Sequence, residues 1–362
     1  MNKNKTIDKF FVLILILILI SSMTVLYSAT LKSKALGLAE FYWARQCVWL
    51  SLGVILMFFI AYTDYRKVGI LSWFIYLSGL LLLMSVLLFG RKISGSQRWL
   101  HWGPVTIQPS EFMKIIYIIS LAWYLDTIRG HSFSWKNLFI SGLITFFPMI
   151  FIALEPDLGT ALVFVPIFMG MIFTFGAPWK HFLGLGFLAG LALPFMWFIF
   201  LKNYQKQRIL MFLNPQNDQF GSGWTVIQSK IAIGSGRFWG KGITKGSQTQ
   251  LDFLPEHHTD FIFSVLAEEW GFIGVAFIFI LFFLLISKCI LIANKTYDSF
   301  GQQLVIGSSI LLSFQMLVNI GMTLGLCPVT GLPLPFFSYG GSSLVSILTA
   351  MGFILSVDRH KD

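Results

Sequence analysis

About ten long apolar runs divide this chain, and they constrain its fold more than any other feature. Each run approaches the roughly 20 residues that a helix needs to cross a bilayer. Backbone amides in lipid need hydrogen-bond partners within their own segment, so these runs must be helices. We therefore predict an all-α integral membrane protein. The predicted spans are Phe10–Ala29, Trp43–Tyr62, Gly69–Gly90, Ile107–Leu125, Leu138–Leu154, Leu158–Phe175, Phe182–Leu201, Phe261–Ile292, Leu304–Leu326 and Phe336–Val357.

Composition excludes a soluble protein of two domains, which is the ordinary expectation for 362 residues. Hydrophobic residues make up 56% of the chain and charged residues 12%, and the mean hydropathy is +0.76. We therefore predict one polytopic membrane domain over residues 1–362, whose basic start and first apolar run are a span rather than a cleaved signal peptide. The net charge of +10 lies mostly in loops, so it favours membrane lipid headgroups or a phosphorylated lipid substrate over nucleic acid.

Ten spans would place both termini on one side of the membrane, and bases in the short loops favour the cytoplasmic side. The longest polar interval, residues 202–260, would then be an extracytoplasmic loop between the seventh and eighth spans. Its first part is basic and its end is acidic, a pairing suited to holding an anion while removing a proton. The bases are Lys202, Lys206, Arg208, Lys230, Arg237, Lys241 and Lys245, and the acids in and just beyond the end are Asp252, Glu256, Asp260, Glu268 and Glu269.

Glu111 and Lys114 stand three residues apart on one face of the fourth predicted span. An ionised side chain in the middle of a span costs at least ~2.5–3.5 kcal/mol, so such residues face a cavity or each other. The spacing therefore leaves two interpretations open. The residues form an ion pair that only holds the bundle together, or they line a polar cavity near the long loop.

Asp260 immediately precedes the predicted eighth span. Thr259 or Asp260 could simply cap the start of that helix, or Asp260 could be a general base at the membrane surface. The neighbouring His257 and His258 suggest a metal site only weakly, because adjacent histidines cannot easily bind one ion from a helix and the three cysteines show no metal-binding spacing. A divalent cation, magnesium or manganese, shared with a substrate diphosphate stays open.

Other polar positions carry weaker signals. Arg98, on an outer loop beside the interfacial Trp99, could bind a phosphate oxygen with its planar guanidinium. Glu155-Pro-Asp157 is more typical of a helix stop and cap than of a site. Lys230 alone is more typical of a solvated face. The proline-rich stretch from Cys327 to Gly341 cannot be a regular helix, so we predict a stiff re-entrant turn between the last two spans.

Three motifs in this order resemble the SEDS family of bacterial envelope proteins, over nearly the whole chain. They are Gln-Pro-Ser-Glu111-Phe-Met-Lys114, Leu-Pro-Glu-His-His-Thr-Asp260-Phe-Ile-Phe, and Asn319-Ile-Gly-Met followed by Pro-Val-Thr-Gly-Leu-Pro-Leu-Pro-Phe-Phe-Ser-Tyr-Gly-Gly-Ser. The stretch around Lys230 and Arg208 is similar to the elongation branch of the family rather than the division branch. Trp224 and Cys327 depart from the usual pattern without touching the proposed chemistry.

The resemblance implies a ten-span peptidoglycan glycosyltransferase of the bacterial inner (plasma) membrane that polymerises lipid II with a class B penicillin-binding protein transpeptidase. It also implies that Asp260 matches the family's essential aspartate, and that Glu111 and Lys114 match its cavity pair. On this basis Asp260 is the predicted general base, and Arg98, Arg208 and Lys230 are predicted to hold lipid diphosphates. Two alternatives remain, a lipid II flippase and a non-catalytic scaffold for wall synthesis.

Overall fold

The computed structural model describes residues 7–35, 42–93, 96–103, 105–213, 221–251 and 253–360. Helices dominate this part of the chain, and one π-helical turn, Met196–Phe200, follows the eighth helix. The helices are α1 (Lys9–Ala35), α2 (Tyr42–Tyr62), α3 (Tyr65–Ile70), α4 (Ser72–Phe89), α5 (Pro109–Thr127), α6 (Trp135–Leu154), α7 (Leu158–Thr174), α8 (Trp179–Phe195), α9 (Asn203–Leu213), α10 (Ser222–Ser235), α11 (Ser247–Gln250), α12 (Ile262–Lys295), α13 (Ser299–Thr323) and α14 (Gly341–His360).

Eight of the helices in the described ranges are long and apolar enough to cross a membrane. Helix α7 is apolar but shorter, with 17 residues. Helix α5 has 19 residues and begins with a proline, whose fixed φ suits the first helical position. It carries Glu111 and Lys114 among its buried residues. The predicted helical membrane fold is confirmed apart from one small sheet, while the total of ten spans stays a prediction.

A small antiparallel sheet occupies the outer loop predicted before the fourth span. Its strands are β1 (Arg91–Ile93), β2 (Ser96–Trp102) and β3 (Val105–Ile107), in that spatial order. Leu100 of β2 pairs with Ile107 of β3 directly before α5 begins. The sheet therefore fixes the direction in which Arg98, on β2, approaches the start of α5.

The long apolar run predicted as the eighth span is interrupted near its start. At Gly271 of α12 the backbone has φ 64° and ψ −165°, a conformation open essentially only to glycine. The interruption frees backbone groups that the segment after α10 satisfies, because Phe272 N donates to Arg237 O at 2.9 Å and Lys241 N donates to Glu268 O at 3.0 Å. The first part of α12 is thereby tied to the polar segment that precedes it.

The segment between α13 and α14 enters the core without forming a helix. Leu332, Leu334, Phe336 and Phe337 are each at most 2% exposed. Prolines prevent a helix here, as predicted, and the buried side chains hold the segment within the bundle. It lies against the turn that precedes α12, and it forms one wall of the candidate site.

Polar contacts distinguish the two ends of the bundle. At one end Lys288 pairs with Asp8 at 2.8 Å, and Arg66 donates to the carbonyl of His360 at 3.2 Å. At the other end Gln46 donates to the carbonyl of Ser338 at 3.4 Å. The described N-terminal and C-terminal residues therefore share one end, and the turn before α12 lies at the opposite end.

Candidate active site

A polar cavity of about 370 Å³ opens at the end of the bundle opposite the termini. It lies between β2, the start of α5, the turn between α6 and α7, helix α9, the turn before α12 and the start of α14. Four of the residues predicted for the site line it together, namely Arg98, Glu111, Arg208 and Asp260. These residues lie far apart in the sequence, so the cavity is a product of the tertiary fold.

The backbone around Asp260 is fixed by side chains of α13 and of the segment that follows it. Asn319 donates from Nδ2 to the carbonyl of Asp260 at 2.9 Å and to the carbonyl of Leu332 at 2.8 Å. Ser338 donates from Oγ to the carbonyl of Thr259 at 2.6 Å. Two consecutive backbone carbonyls thus accept hydrogen bonds from α13 and from the segment after it. These bonds fix the backbone of the turn from which Asp260 lines the cavity.

Of the two interpretations left open for Asp260, the helix cap is excluded. Helix α12 begins after Phe261, and no side chain caps it with a hydrogen bond. The turn before the helix is closed by the carbonyl of Glu256, which accepts the N–H groups of residues 259–261 at 3.1–3.3 Å. The carboxylate of Asp260 is therefore not used for capping.

The environment of Asp260 suits a general base. Burial raises the pKa of Asp260 to about 6, and the nearby negative charge of Glu256 adds to this effect. The positive charge of Arg208 opposes it. The side chain is partly exposed to the cavity that it lines. A carboxylate with a pKa closer to neutrality accepts a proton more readily than an ordinary aspartate and is still ionised at pH 7.

Arg98 is held against the turn between α6 and α7. Its guanidinium lies 3.7 Å from Asp157 Oδ1 and also donates to the carbonyl of Pro156. Asp157 caps α7, as predicted, by accepting from Thr160 N at 3.2 Å, and it also lines the cavity. Arg98 therefore has a fixed orientation beside the cavity, and Asp157 balances part of its charge.

Glu155, two residues before Asp157, has a different environment. It is fully buried, and neither carboxylate oxygen has a hydrogen-bond partner among the described residues. Burial, reinforced by the charge of Asp157, raises the pKa of Glu155 to about 8. The group is therefore mostly protonated at neutral pH and adds little negative charge beside the cavity.

Glu111 and Lys114 form a buried ion pair, in which Lys114 Nζ donates to Glu111 Oε1 at 2.7 Å. Their side chains are 3% and 0% exposed, respectively. Glu111 lines the cavity, whereas Lys114 is not among the cavity-lining residues. The two interpretations left open by the sequence are therefore compatible. The residues form a buried ion pair, and one of them, Glu111, also lines the cavity.

Arg208 and Lys230 meet at a second, smaller hollow of about 20 Å³ between α9, α10 and the segment after α13. Arg208 donates to the carbonyl of Val329 at 3.2 Å, and it borders both this hollow and the main cavity. Lys230 borders only the small hollow. Of these two cations, only Arg208 thus borders both spaces.

Among the described residues, the two histidines contact carbonyl oxygens and aromatic rings. The ring nitrogens of His257 lie 2.8 Å from the carbonyl oxygen of Leu254 and 3.0 Å from that of Ala29. His258 stacks on Tyr42 with ring centroids 5.1 Å apart, and it lines the cavity. Across the described ranges no group of three His, Cys, Asp or Glu side chains is arranged to hold a metal ion.

The structure also identifies residues that sequence reasoning left unassigned. Asn319 and Ser338 belong to the quoted motifs, but only their contacts with the turn at Asp260 assign them a positioning role. His258 and Asp157 line the cavity, although the sequence favoured other roles for them. Asp218 and Asp252, which belong to the predicted loop, lie outside the described residues.

The fold and the cavity together define a polytopic membrane protein with a candidate active site at one membrane surface. The chain belongs to the SEDS family, because the family model for FtsW, RodA and SpoVE proteins, described as cell cycle protein, matches residues 8–362. The predicted family is confirmed.

Named relatives share nearly the full length of this chain. It is 37% identical to the peptidoglycan glycosyltransferase MrdB of Escherichia coli K12, over 98% of this chain and 94% of that protein. It is 38% identical to the stage V sporulation protein E of Bacillus subtilis, over 99% and 98%. The RodA relative from Treponema pallidum, also named a peptidoglycan glycosyltransferase, is 33% identical over 97% and 98%.

Solved structures have the same fold. A chain from a peptidoglycan synthase complex that coordinates polymerization and crosslinking superposes with a TM-score of 0.84 at 33% identity, over 99% of both chains. The rod shape determining protein RodA of Thermus thermophilus superposes with a TM-score of 0.72 at 30% identity, over 98% of both chains. The similarity thus extends over the whole helical bundle.

Proposed function

We propose that this chain is a peptidoglycan glycosyltransferase that polymerises lipid II into glycan strands during cell elongation. The observation that supports this function best is the position of Asp260, which is partly buried and lines a polar cavity together with Arg98 and Arg208. The family and the named glycosyltransferase relatives supply the reaction class.

Asp260 acts as the general base of an inverting transfer. Its carboxylate takes the proton from the 4-hydroxyl of the acceptor GlcNAc as the oxygen attacks the anomeric carbon of the donor MurNAc. The bond from that carbon to the undecaprenyl diphosphate breaks, and its electron pair leaves with the diphosphate. One base and one good leaving group are enough to convert an α-linked donor into a β-linked product.

The cations near the cavity stabilise the charge that develops on the departing diphosphate. Arg98 and Arg208 line the cavity. Lys230 lines the small adjacent hollow, which Arg208 also borders. Fixed positive groups in a site of limited solvent access lower a barrier more than they would in water. Arg98 retains free N–H donors for this role, since Asp157 and Pro156 engage only part of its guanidinium.

The protein resides in the bacterial inner membrane, with its termini in the cytoplasm and its cavity at the outer surface. Its partner is a class B penicillin-binding protein, which crosslinks the glycan. Support comes from the similar chain in a peptidoglycan synthase complex and from the basic short loops on the terminal side.

Polymerisation of fluorescent lipid II by the purified full chain tests this function. We expect the wild type to make glycan, and we expect Asp260→Asn to make none while binding lipid II as before. Asp126→Asn is the matched control, because it makes the same change at a partly buried carboxylate near the C-terminal end of α5, which does not line the cavity, and it should retain activity. Glycan formation by Asp260→Asn would exclude the general base, and transbilayer movement of lipid II in vesicles without glycan would identify a flippase.

A further inference from the structure

A groove runs between α1 and α2 along the membrane-facing side of the bundle. Helix α1 packs mainly on α12, whereas α2 packs mainly on α14, so the first two helices meet only sparsely. Two hollows occupy the gap, one of about 560 Å³ toward the terminal end and one of about 600 Å³ toward the cavity end. Ile16 borders both hollows.

The terminal hollow has the length of one membrane leaflet. It extends from Ile7, just before α1, to Ile16 within α1, and at ~1.5 Å per residue this stretch is ~14 Å long. Half of a hydrocarbon core of ~30 Å is ~15 Å. Val12, Leu13 and Phe58 also border this hollow, so it suits an acyl chain that runs from the membrane surface to the bilayer centre.

Two bases stand at the surface end of the same hollow. Lys9 is exposed, and Arg359 packs over the ring of Tyr62 with its guanidinium carbon 4.3 Å from the centroid. Nη1 of Arg359 is itself buried and has no hydrogen-bond partner among the described residues. The nearby Asp8 does not cancel this charge, because it pairs with Lys288 and accepts two backbone N–H groups of α1.

We propose that this hollow binds one anionic phospholipid. The headgroup phosphate lies between Lys9 and Arg359, and one acyl chain fills the groove as far as Ile16. The lipid thereby supports α1 against the α2–α14 pair, at the end of the molecule opposite the cavity. The inference is independent of the proposed glycosyl transfer and goes beyond it.

Charge rather than apolar contact makes the site selective. Apolar contact alone cannot favour one lipid, since every phospholipid offers similar chains and lipid tails are as apolar as the groove. Two bases near a membrane surface correspond to a preference of about 30-fold for an anionic over a zwitterionic headgroup. A headgroup without chains lacks the groove contacts and should bind poorly.

Native mass spectrometry of the purified full chain with added lipid tests the site. The probes are phosphatidylglycerol, phosphatidylcholine and glycerol 3-phosphate. We expect one tightly retained phosphatidylglycerol, about 30-fold preferred over phosphatidylcholine, and no retained glycerol 3-phosphate. The double variant Lys9→Gln/Arg359→Gln should lose the preference.

Two further variants keep the test decisive. Lys136→Gln/Lys180→Gln removes two exposed bases at the starts of α6 and α8, and it should retain the preference. Ile16→Phe narrows the groove without changing charge, so it should weaken retention. Equal retention of the two lipids by the wild type would overturn the proposal, as would identical behaviour of the two charge variants.

Discussion

The buried ion pair of Glu111 and Lys114 allows a prediction in which each single substitution destabilises the chain far more than the double substitution does. With side chains 3% and 0% exposed and a contact of 2.7 Å, both charges are almost entirely shielded from bulk water. Removing one partner of such a pair typically costs 3–5 kcal/mol, whereas replacing both by neutral groups of similar size is often close to neutral. The perturbations are Lys114→Met, Glu111→Gln and the double variant.

A double-mutant cycle isolates the contribution of the pair. Each single variant leaves one buried group without its partner, so we expect either change to cost about 3–5 kcal/mol. The double variant removes both charges together, so its loss should be much smaller than the sum of the two single losses.

Reversible unfolding in mixed micelles at pH 7, followed by tryptophan fluorescence, measures these free energies. We expect Lys114→Met and Glu111→Gln each to lose about 3–5 kcal/mol. The double variant should lie within about 1 kcal/mol of the wild type, yet polymerise poorly because Glu111 lines the cavity. Single variants as stable as the wild type, or a double variant that loses as much as the two single variants together, would refute this reasoning.

Three further predictions concern single positions. Burial raises the pKa of Glu155 to about 8 in the folded chain, from 4.5 in the unfolded chain, so the folded state holds the extra proton. The free energy of unfolding should therefore fall as the pH rises from 4.5 to 8, by at most about 5 kcal/mol. Glu155→Gln should abolish this decline in thermal melts, and an unchanged decline would contradict the assignment. Asn319→Ala removes the hydrogen bond from Asn319 to the carbonyl of Asp260, so the carboxylate is held less precisely. We expect kcat to fall at least about tenfold with KM little changed. An unchanged kcat would show that the hydrogen bond does not position the base. Gly271→Ala forces a side chain into the interruption of α12 and should cost about 3 kcal/mol; an unaltered melting temperature would rule out a glycine-only conformation.

Local patterns in the sequence were enough to predict the membrane fold. Apolar runs of about 20 residues identify spans because lipid imposes a length and a backbone rule on each segment separately. The spacing of Glu111 and Lys114 likewise indicated a pair on one helical face, since a helix fixes that geometry locally. The prolines after Cys327 excluded a helix for the same kind of reason.

Contacts between distant segments could not be predicted from the residues alone. Arg98 meets Asp157 only because a small sheet and a helical turn converge at the cavity. The carbonyl of Asp260 is bonded by Asn319, 59 positions away. The same lack of tertiary information left a cap at Thr259 or Asp260 open, because the sequence does not show that the turn at Glu256 precedes a helix without a side-chain cap.

The rate of lipid II polymerisation as a function of pH tests the role of Asp260 most directly. With the pKa of Asp260 raised to about 6, kcat/KM should fall tenfold for each pH unit below that value and level off above it. Lipid II binding, measured over the same range, should change far less. A rate at pH 5 equal to the rate at pH 7.5 would contradict the assignment of Asp260 as the base.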